Sequence, residues 1–494
     1  MMQLLEKLRE MSGYCKDRIT QGLTEEQISH FAKIDSNLGK AVEEAYQSHI
    51  HLRTEHNSIL KKSEKEQIAQ IQQEYVNFYD QYAVNPYISL GARGPWIISS
   101  TGAVIHDSGG YGMLGFGHGP QKIIDAMNDN HVMANIMTAN FAQKDFVEIL
   151  KKEIGHSRSA GKRDPYHKFM CLNSGSESIT IATRISDLNV RQLCKDGGPH
   201  QGKKVKFLSL KGSFHGRTDR PAQFSDSCLK VYQKHLESFQ GRDNLDTIEP
   251  NDSEALAAVF AQAKKSGIFY EAMFMEPVMG EGNPGLGISP EFYKLARNLC
   301  NQMGSLLVVD SIQAGLRAQG CLSIMDYPGF RELDAPDMEA YSKALNAGQY
   351  PLSVLALGKY ASELYVTGIY GNTMTSNPRA LAVAKAVLGQ VNEDLRLNIC
   401  TKGKEFLEAF ATLKSEFPDL IGSIQGTGLL FCMEINPKKA KVVGEEGMEF
   451  KLRKLGLGVI HGGKNALRFT PHFEITSDEI GLVTEILREV FKTY

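Results

Sequence analysis

Two charged residues, Asp310 and Lys343, have the types and surroundings that cofactor chemistry requires. Asp310 ends the apolar run 306–309, and Lys343 follows a predicted strand and enters a glycine-containing loop. A lysine in such a place can bind the aldehyde of pyridoxal phosphate (PLP) covalently, and an acid at the tip of a buried strand can keep the pyridine nitrogen protonated. Each residue alone is also typical of a turn aspartate or a surface lysine. The interpretation therefore depends on the rest of the chain.

Further motifs that suit the same cofactor follow one another along the chain. They are TGAVIHD (101–107), GHGP (117–120), NSGSES (173–178), FHGRT (214–218), EPVMGEG (276–282), DSIQAG (310–315), SKAL (342–345), TMTSNP (373–378) and LRFTP (467–471). With these motifs the chain resembles the class III (ω-amino acid) aminotransferases, over roughly residues 95–490. Chance matches would not keep this order and approximate spacing. The stretch GVIHGGKNALRFTP looks most like the aminobutyrate and lysine transaminase branch, and the whole chain looks closest to the 4-aminobutyrate, lysine and ornithine transaminases.

The elements that must position these residues alternate between short apolar runs and longer helical patterns. The predicted strands are 169–172, 205–210, 272–276 and 305–310, and the predicted helices are 176–194, 253–266, 290–303 and 378–391. This alternation predicts an α/β domain with a mainly parallel sheet. Strands at 429–435 and 467–470 with helices at 445–455 and 477–491 predict a smaller α+β domain. The resemblance implies the PLP-dependent transferase fold type I.

We expect four parts along the chain. They are a helical N-terminal extension (1–85), the N-terminal part of the small domain (86–130), the large PLP-binding domain (131–385) and the C-terminal small domain (386–494). The extension is rich in Glu, Lys and Gln, and Ile68, Ile71, Tyr75 and Phe78 have helical spacing. A few helices packed on the surface of a dimer would explain it. The alternative is a partner-binding or oligomerisation module.

The bulk composition excludes several other classes of protein. The 494 residues are 42% hydrophobic and 23% charged with a net charge of −2, which gives no reason to expect nucleic-acid or acidic-membrane binding. No apolar run approaches the roughly 20 residues that span a bilayer, and the start MMQLLEKLREM lacks the apolar core of a signal peptide. The eight cysteines are scattered, which predicts reduced thiols, no metal site and a cytoplasmic location.

The NSGSES motif has the pattern of a phosphate site. A predicted strand runs into a turn and then a helix, so Gly175 permits close approach and Ser176 offers an N–H and a hydroxyl at the helix N-terminus. A plain helix cap by Ser174 or Ser176 is the local alternative. The other motifs favour phosphate binding.

The resemblance implies further contacts with the cofactor. Phe214 would stack on the pyridine ring, Ile312 would pack against its face, and Gln313 would reach its phenolic oxygen. Asp310 would pair with the pyridine nitrogen. Thr373 would reach the phosphate from the neighbouring subunit, which implies a homodimer with shared active sites.

Three charged residues are implied in binding the substrates. Arg217 matches an arginine that commonly binds a substrate carboxylate, and a planar guanidinium suits a carboxylate through two parallel hydrogen bonds. In relatives with two dissimilar substrates, a glutamate at the position of Glu281 shields the arginine at the position of Arg468 when an ω-amine enters. It releases that arginine for the α-carboxylate of an oxo acid. A permanent ion pair is the alternative.

The chain departs from the family pattern beside Asp310. The family usually has Glu where this chain has Ser311, and the following segment reads LRAQG (316–320). Because Asp310 and Gln313 are kept, the departures affect the expected substrate side more than PLP binding.

These features predict a PLP-dependent aminotransferase with ping-pong kinetics. Lys343 would hold the cofactor and, once displaced, act as the general base. The amino group of an ω-amino acid such as 4-aminobutyrate, ornithine or lysine would pass to 2-oxoglutarate. Another PLP reaction on the same fold (aminomutase, racemase or decarboxylase) is an alternative. A further alternative is a non-catalytic partner-binding protein. The joint presence of Lys343, Asp310 and Gln313 argues against it.

Overall fold

A computed structural model of the chain describes residues 2–109 and 112–494. Its α-helices are α1 (Met2–Tyr14), α2 (Glu25–Ile34), α3 (Ser36–Glu55), α4 (Asn57–Leu60), α5 (Glu64–Gln72), α6 (Gln121–Asn128), α7 (Phe141–Glu153), α8 (Gly175–Leu193), α9 (Asp219–Ala222), α10 (Asp226–His235), α11 (Ser253–Lys265), α12 (Pro290–Met303), α13 (Lys359–Leu364), α14 (Pro378–Leu388), α15 (Glu393–Glu416), α16 (Met448–Lys454) and α17 (Ser477–Phe491). Its β-strands are β1 (Ser89–Arg93), β2 (Trp96–Ser99), β3 (Val104–Asp107), β4 (Lys168–Leu172), β5 (Lys204–Leu210), β6 (Leu245–Ile248), β7 (Ile268–Met275), β8 (Leu306–Asp310), β9 (Met338–Tyr341), β10 (Ser353–Leu357), β11 (Ile421–Thr427), β12 (Leu430–Ile435), β13 (Leu457–Gly458), β14 (Ile460–Gly462) and β15 (Ala466–Phe469). Short 3₁₀ helices occupy Gln81–Ala83, Ala160–Lys162, Glu237–Phe239, Ile324–Asp326 and Lys343–Asn346.

The chain divides into two compact units. The first consists of Met1–Gln121 together with Thr401–Tyr494, and the second consists of Lys122–Cys400. The finer division into four parts that the sequence predicts stays a prediction.

A seven-stranded sheet forms the centre of the second unit. Its strand order is β4-β10-β9-β8-β7-β5-β6. Strands β9, β8, β7, β5 and β6 are parallel, whereas β10 is antiparallel to both of its neighbours. The predicted mainly parallel sheet is confirmed.

Helix α8 covers one face of this sheet because its apolar residues recur at helical spacing. Ile179, Ala182 and Ile185 are fully buried and share a core cluster with Phe274 of β7 and Val308 of β8. Burying such side chains stabilises the unit by about 1.5–3 kcal/mol each. The helix therefore begins at one edge of the sheet in a fixed position.

Local signals place the helix ends close to where the sequence predicts them. Helix α12 begins after the cap Ser289 with Pro290 in its first turn, and it ends at Gly304 in the left-handed conformation. The predicted helices 290–303 and 477–491 coincide with α12 and α17. Helix 445–455 is shorter than predicted, since α16 begins at Met448.

The first unit contains two four-stranded sheets. One has the order β1-β2-β3-β13 and the other the order β11-β12-β15-β14. The second sheet is antiparallel, and helix α17 contributes nine buried residues to the same unit. The predicted smaller α+β part is thus present here.

The N-terminal helices pack on the first of these sheets. Helix α3 lies so close to β1 that a Cβ at Gly91 would come within 2.7 Å of the Ala45 nitrogen. Trp96 on β2 donates its indole N–H to Asp35, which caps α3, at 2.6 Å. The buried Glu64 carboxylate accepts the backbone N–H of Thr20 at 2.8 Å. These helices are therefore part of the fold of the first unit.

One helical prediction in this region is wrong. The helical spacing of Ile68, Ile71, Tyr75 and Phe78 predicts a helix that includes all four residues, but α5 ends at Gln72. Tyr75 and Phe78 lie beyond it and are 80% and 77% exposed. Spacing alone could not show that the helix stops, because the apolar residues continue past its end.

A buried ionic cluster joins the beginning and the end of the first unit. The Glu479 carboxylate contacts Nε2 of His472 at 2.7 Å and Nε2 of His106 at 3.0 Å. Its other oxygen accepts the N–H of Thr476 at 2.8 Å and completes a capping box at the start of α17. Burial raises the pKa of Glu479, but both histidines lower it to well below its ordinary value.

Within residues 2–109 and 112–494, none of the helices combines the length and the apolar character that crossing a membrane requires.

Candidate functional site

Four predicted or candidate site residues of the second unit lie at or just after the carboxyl ends of neighbouring parallel strands. Glu276 comes directly after β7, Asp310 ends β8, and Lys343 comes two residues after β9. Phe214 follows β5, which pairs with β7. The carboxyl ends of parallel strands share one edge of a sheet, which is where ligands bind in open α/β folds.

Asp310 is a buried carboxylate with two defined contacts. One oxygen accepts the backbone N–H of Ile312 at 3.1 Å, and the other lies 2.8 Å from Nδ1 of His215. Asp310 is 4% exposed and the His215 side chain is fully buried. A charge at this depth needs a partner, and a protonated ring nitrogen would supply one.

Lys343 lies in a backbone conformation that is rare for a residue with a side chain. Its φ is 46°, in the left-handed region, and a 3₁₀ helix begins there. Such strain costs about 1–3 kcal/mol and clusters at functional sites. The Lys343 amine donates a hydrogen bond to the Gln313 side-chain oxygen. The structure therefore brings together two residues that the sequence assigns to one cofactor.

Gly175 and Ser176 form the first turn of α8, as expected for an anion site. Ser174 caps the helix, and its side chain accepts the N–H of Glu177 at 3.3 Å. A Cβ at Gly175 would come within 2.6 Å of Cδ1 of Ile312, so this turn rests against the residue predicted to face the ring. The positive end of the helix dipole adds to the attraction for a phosphate.

Phe214 is held through its backbone by Glu276. The Phe214 N–H donates to one Glu276 oxygen at 3.0 Å, and the Gly280 N–H donates to the other at 2.8 Å. Burial raises the pKa of Glu276 to about 7; the charge of His215 lowers it, and that of Asp310 raises it further.

Arg217 is the exposed member of this group. Its guanidinium lies 5.4 Å from the centre of the Phe214 ring and donates to the Tyr232 hydroxyl at 3.4 Å. Burial lowers the pKa of Arg217, whereas Cys228, Tyr232 and Glu281 raise it above its ordinary value. Glu281 thus lies within electrostatic reach of Arg217.

Two further predicted site residues, Thr373 and Arg468, have different surroundings. Thr373 is exposed, and its carbonyl accepts the side-chain N–H of Asn135 at 3.2 Å. Arg468 is buried on β15 of the first unit, whereas Glu281 belongs to the second. The predicted exchange between Glu281 and Arg468 remains a prediction.

The departure at Ser311 has a physical explanation. The Ser311 hydroxyl donates at 2.5 Å to the fully buried carboxylate of Glu339 on the next strand. Glu339 also accepts from Tyr166 at 2.5 Å, from Ser323 at 2.6 Å and from the N–H of Ile324 at 2.9 Å. This network anchors the segment that carries Ile312 and Gln313, so an acid is present behind Asp310 although residue 311 is not one.

Unsatisfied polar atoms show whether these residues fit the expected cofactor. The side-chain nitrogens Nε2 of Gln313 and Nε2 of His215 are buried without a hydrogen-bond partner. A buried donor without a partner costs about 1–3 kcal/mol, and the phenolic oxygen of PLP is an acceptor of the kind that Gln313 lacks. Together with the buried Asp310 and the amine of Lys343, the residues present fit PLP.

Sequence reasoning left His215 and Glu276 without a role. Glu276 carried a usable signal, since it directly follows the apolar run 272–275, as Asp310 follows the apolar run 306–309. His215 carried none, because its contact with Asp310 joins residues 95 positions apart.

Comparison with known proteins identifies the family of the chain. The family Aminotransferase class-III matches residues 79–491. Ornithine aminotransferase 2 of Staphylococcus aureus is 28% identical over 426 residues, which cover 85% of this chain and 98% of that protein.

Solved structures share the fold. The ornithine aminotransferase of Toxoplasma gondii superposes with a TM-score of 0.74 at 22% identity, covering 90% of this chain and 98% of that one. A second structure of that enzyme, crystallised with oxidised glutathione, has PLP at partial occupancy in its active site; its TM-score is 0.72 at 22% identity, over 90% of this chain and 97% of that one.

The fold and the strand-end site define a PLP-dependent enzyme of fold type I. The chain belongs to the class III aminotransferases. Its cofactor is pyridoxal phosphate and its reaction is a transamination, as the sequence predicts.

Proposed function

We propose that this aminotransferase moves the terminal amino group of an ω-amino acid, with ornithine as the first candidate, to 2-oxoglutarate. The observation that carries the proposal is Lys343, whose amine contacts Gln313 from a strained backbone beside the buried Asp310. The class of donor is supported by the name of the relative that aligns over 85% of the chain.

The chain's own residues divide the work as follows. When bound, PLP supplies the carbonyl carbon that receives the amino group and a ring that withdraws electrons. Lys343 attaches the cofactor and then moves a proton at its Nζ atom. Asp310 holds the proton of the ring nitrogen, and His215 keeps the Asp310 carboxylate in place. Gly175 and Ser176 bind the phosphate at the start of α8.

Substrate carboxylates are the proposed ligands of the two arginines. Arg217 stands over the Phe214 ring with a hydrogen bond to Tyr232, so its guanidinium is oriented before a substrate arrives. Arg468 takes the α-carboxylate of the oxo acid. A panel of ornithine, 4-aminobutyrate and lysine, each with 2-oxoglutarate, tests the proposal by the glutamate formed. Absence of glutamate with every donor contradicts it.

A donor-only measurement separates transamination from other PLP reactions. Without an oxo acid, the donor should lose one amino group per active site and then stop, because the second half-reaction has no acceptor. Continuous turnover of the donor would indicate a racemase, aminomutase or decarboxylase.

We also propose that the working form is a homodimer with shared active sites, located in the cytoplasm. Val132, Ile136, Met137 and Phe141 are between 64% and 88% exposed in one stretch of the second unit, and exposed apolar patches mark protein interfaces. Thr373 lies at the same surface, through its contact with Asn135. All eight cysteines are free, which supports a reducing compartment.

Subunit mixing tests the shared site. Lys343→Ala and Thr373→Asp variants should each be inactive, the second because a carboxylate repels the phosphate. Mixed dimers should regain activity, since one of their two sites combines an intact Lys343 with an intact Thr373. Unchanged inactivity after mixing, with dimers shown by light scattering, contradicts the sharing.

A further inference from the structure

Glu276 connects two loops of the site through its two carboxylate oxygens. It is 3% exposed and comes directly after β7. One oxygen accepts the N–H of Phe214 at 3.0 Å, and the other accepts the N–H of Gly280 at 2.8 Å. The two loops also meet directly, since the Gly282 N–H donates to the Gly212 carbonyl oxygen at 3.1 Å. Glu276 adds a second link, which ties Phe214 to Gly280.

Each of these loops carries a group with a proposed task. The first carries Phe214, whose ring would stack on the cofactor, and the second carries Glu281 next to Gly280. The second loop is also pressed onto Gln313, since a Cβ at Gly280 would come within 2.6 Å of Cγ of Gln313. Gln313 in turn accepts from Lys343. A shift of the Glu276 side chain would therefore move both Phe214, at the ring face, and Glu281, on the substrate side.

The ionised carboxylate is the form that suits both contacts. An ionised carboxylate is a pure acceptor, whereas a protonated one must turn an O–H toward one of its neighbours. The neighbouring charged groups are His215, which favours ionisation, and Asp310, which opposes it. Hydrogen bonds to a charged group are about twice as strong as neutral ones.

We propose that Glu276 is a positioning residue for transamination. It fixes the position of the Phe214 ring relative to the turn that carries Glu281. The part that concerns Glu281 rests on the proposed function, whereas the part that concerns Phe214 needs only cofactor binding. Glu276 itself transfers no proton and touches no substrate.

The matched control is Glu271, which lies on β7, the strand that Glu276 directly follows. It is 5% exposed, and burial raises its pKa to about 7 as well. Its partners are Arg220 at 2.8 Å and Ser186 at 2.6 Å, which are not members of the site. Glu271→Gln therefore measures the general cost of neutralising a buried acid on β7.

Glu276→Gln keeps the size of the side chain but replaces one acceptor with an NH₂ group that faces a backbone N–H. We expect it to bind PLP about 10-fold to 100-fold more weakly than Glu271→Gln, as loss of a hydrogen bond to a charged group implies. Its preference for ω-amino over α-amino donors should also fall at saturating PLP. Melting temperatures should drop by similar amounts in both variants.

Equal PLP dissociation constants and equal donor preferences in the two variants would overturn the inference. A wild type that accepts no ω-amino donor would end the proposed function, yet the PLP comparison would still decide the role of Glu276. The two failures are thus distinguishable.

A second variant covers the case in which Glu276→Gln does not fold. Glu276→Asp retains the charge but is one methylene shorter, so its carboxylate reaches one of the two N–H groups. In hydrogen–deuterium exchange of the holoenzyme, one of the peptides containing Phe214 and Gly280 should lose protection. If both peptides keep their full protection in this variant, Glu276 does not connect the two loops.

Discussion

Glu276 in the second unit and Glu479 in the first are buried to a similar extent, at 3% and 5% exposed, but their carboxyl groups behave in opposite ways. Burial raises the pKa of Glu276 to about 7. At Glu479 the same burial is outweighed by His472 and His106, which hold the pKa far below its ordinary value.

The difference agrees with the proposed role of Glu276 as a positioning residue and with a structural role for Glu479. Glu479 has two histidines and the capping contacts of Thr476, so its charge is compensated within the fold. Glu276 lies beside Asp310, a second carboxylate, and the fold tolerates the repulsion between them. Burial raises the pKa of Glu271 as well, so Glu276 is set apart by its neighbour Asp310 and by its contacts with two loops of the site. Changes near Glu276 should therefore affect chemistry, and changes near Glu479 should affect stability.

The largest expected effect is that of Lys343→Ala on the chemical step. Removing both the attachment point and the proton carrier should lower the transamination rate by about 10⁴-fold, the upper end of what a positioned acid or base contributes, while the melting temperature of the apoenzyme stays near that of wild type. Borohydride reduction of wild type should fix a pyridoxyl group on Lys343, as peptide mass spectrometry can show. A label on another lysine, or turnover by the alanine variant, contradicts the assignment.

Asp310→Asn should come next in size. The amide cannot hold the ring proton by charge, so the rate should fall by orders of magnitude while folding is largely retained. Single-turnover absorbance measurements give the rate, and circular dichroism gives the fold. Near wild-type rates would mean that another group protonates the ring nitrogen.

Glu479→Ala is the opposite test, in the first unit. It leaves His472 and His106 buried without their acid, and breaking a buried pair costs about 3–5 kcal/mol of unfolding free energy. The rate per folded molecule should stay unchanged. Denaturant unfolding and active-site titration measure the two quantities, and a variant that loses rate but keeps its stability would break the comparison.

The two arginines should differ in which half-reaction they serve. Losing a charged contact costs roughly 2–5 kcal/mol of binding. Arg468→Ala should damage the half-reaction with 2-oxoglutarate more than that with the ω-amino donor, whereas Arg217→Ala should damage both. Glu281→Ala should improve α-amino donors relative to ω-amines. Equal losses in both halves for Arg468→Ala, with an unchanged preference in Glu281→Ala, would reduce these residues to structural roles.

The smallest effect is a pH dependence of stability from the Glu479 cluster. Burial lowers the pKa of His472, but Glu479 raises it to a net value above the ordinary one. A raised histidine pKa stabilises the fold below its unfolded value of about 6.5, and this contribution is lost as pH rises through the folded pKa. The lowered pKa of Glu479 stabilises above about pH 4.3 and is lost on acidification.

Between about pH 4.3 and 6.5, both Glu479 and His472 therefore make their full contribution to the unfolding free energy. The unfolding free energy of wild type should decline above that range more steeply than that of His472→Gln. Parallel curves for the two proteins would show that this pair does not titrate with folding.

Much of the fold and part of the site can be predicted from the sequence. The α/β class follows from the alternation of strand and helix patterns. Asp310 and Lys343 can be predicted because the apolar run 306–309 and the SKAL segment mark the ends of strands. Contacts between distant segments cannot be predicted in this way. Glu339 receives its four donors from Tyr166, Ser311, Ser323 and Ile324, and no local pattern brings these segments together. The end of α5 could not be predicted because the helical spacing of apolar residues continues beyond it, into residues that are exposed.

The division of the chain also has a consequence for its synthesis. The first unit needs both Met1–Gln121 and Thr401–Tyr494, which the 279 residues from 122 to 400 separate. At about 5–20 residues per second, the ribosome needs roughly 14–56 s to make that insert. Helices α1 to α3 must wait through this interval before Glu479 and His472 emerge. The nascent N-terminal segment should therefore need chaperones during this interval. A premature stop between residues 400 and 421 leaves the residues of the second unit complete but removes all of β11–β15 from the first.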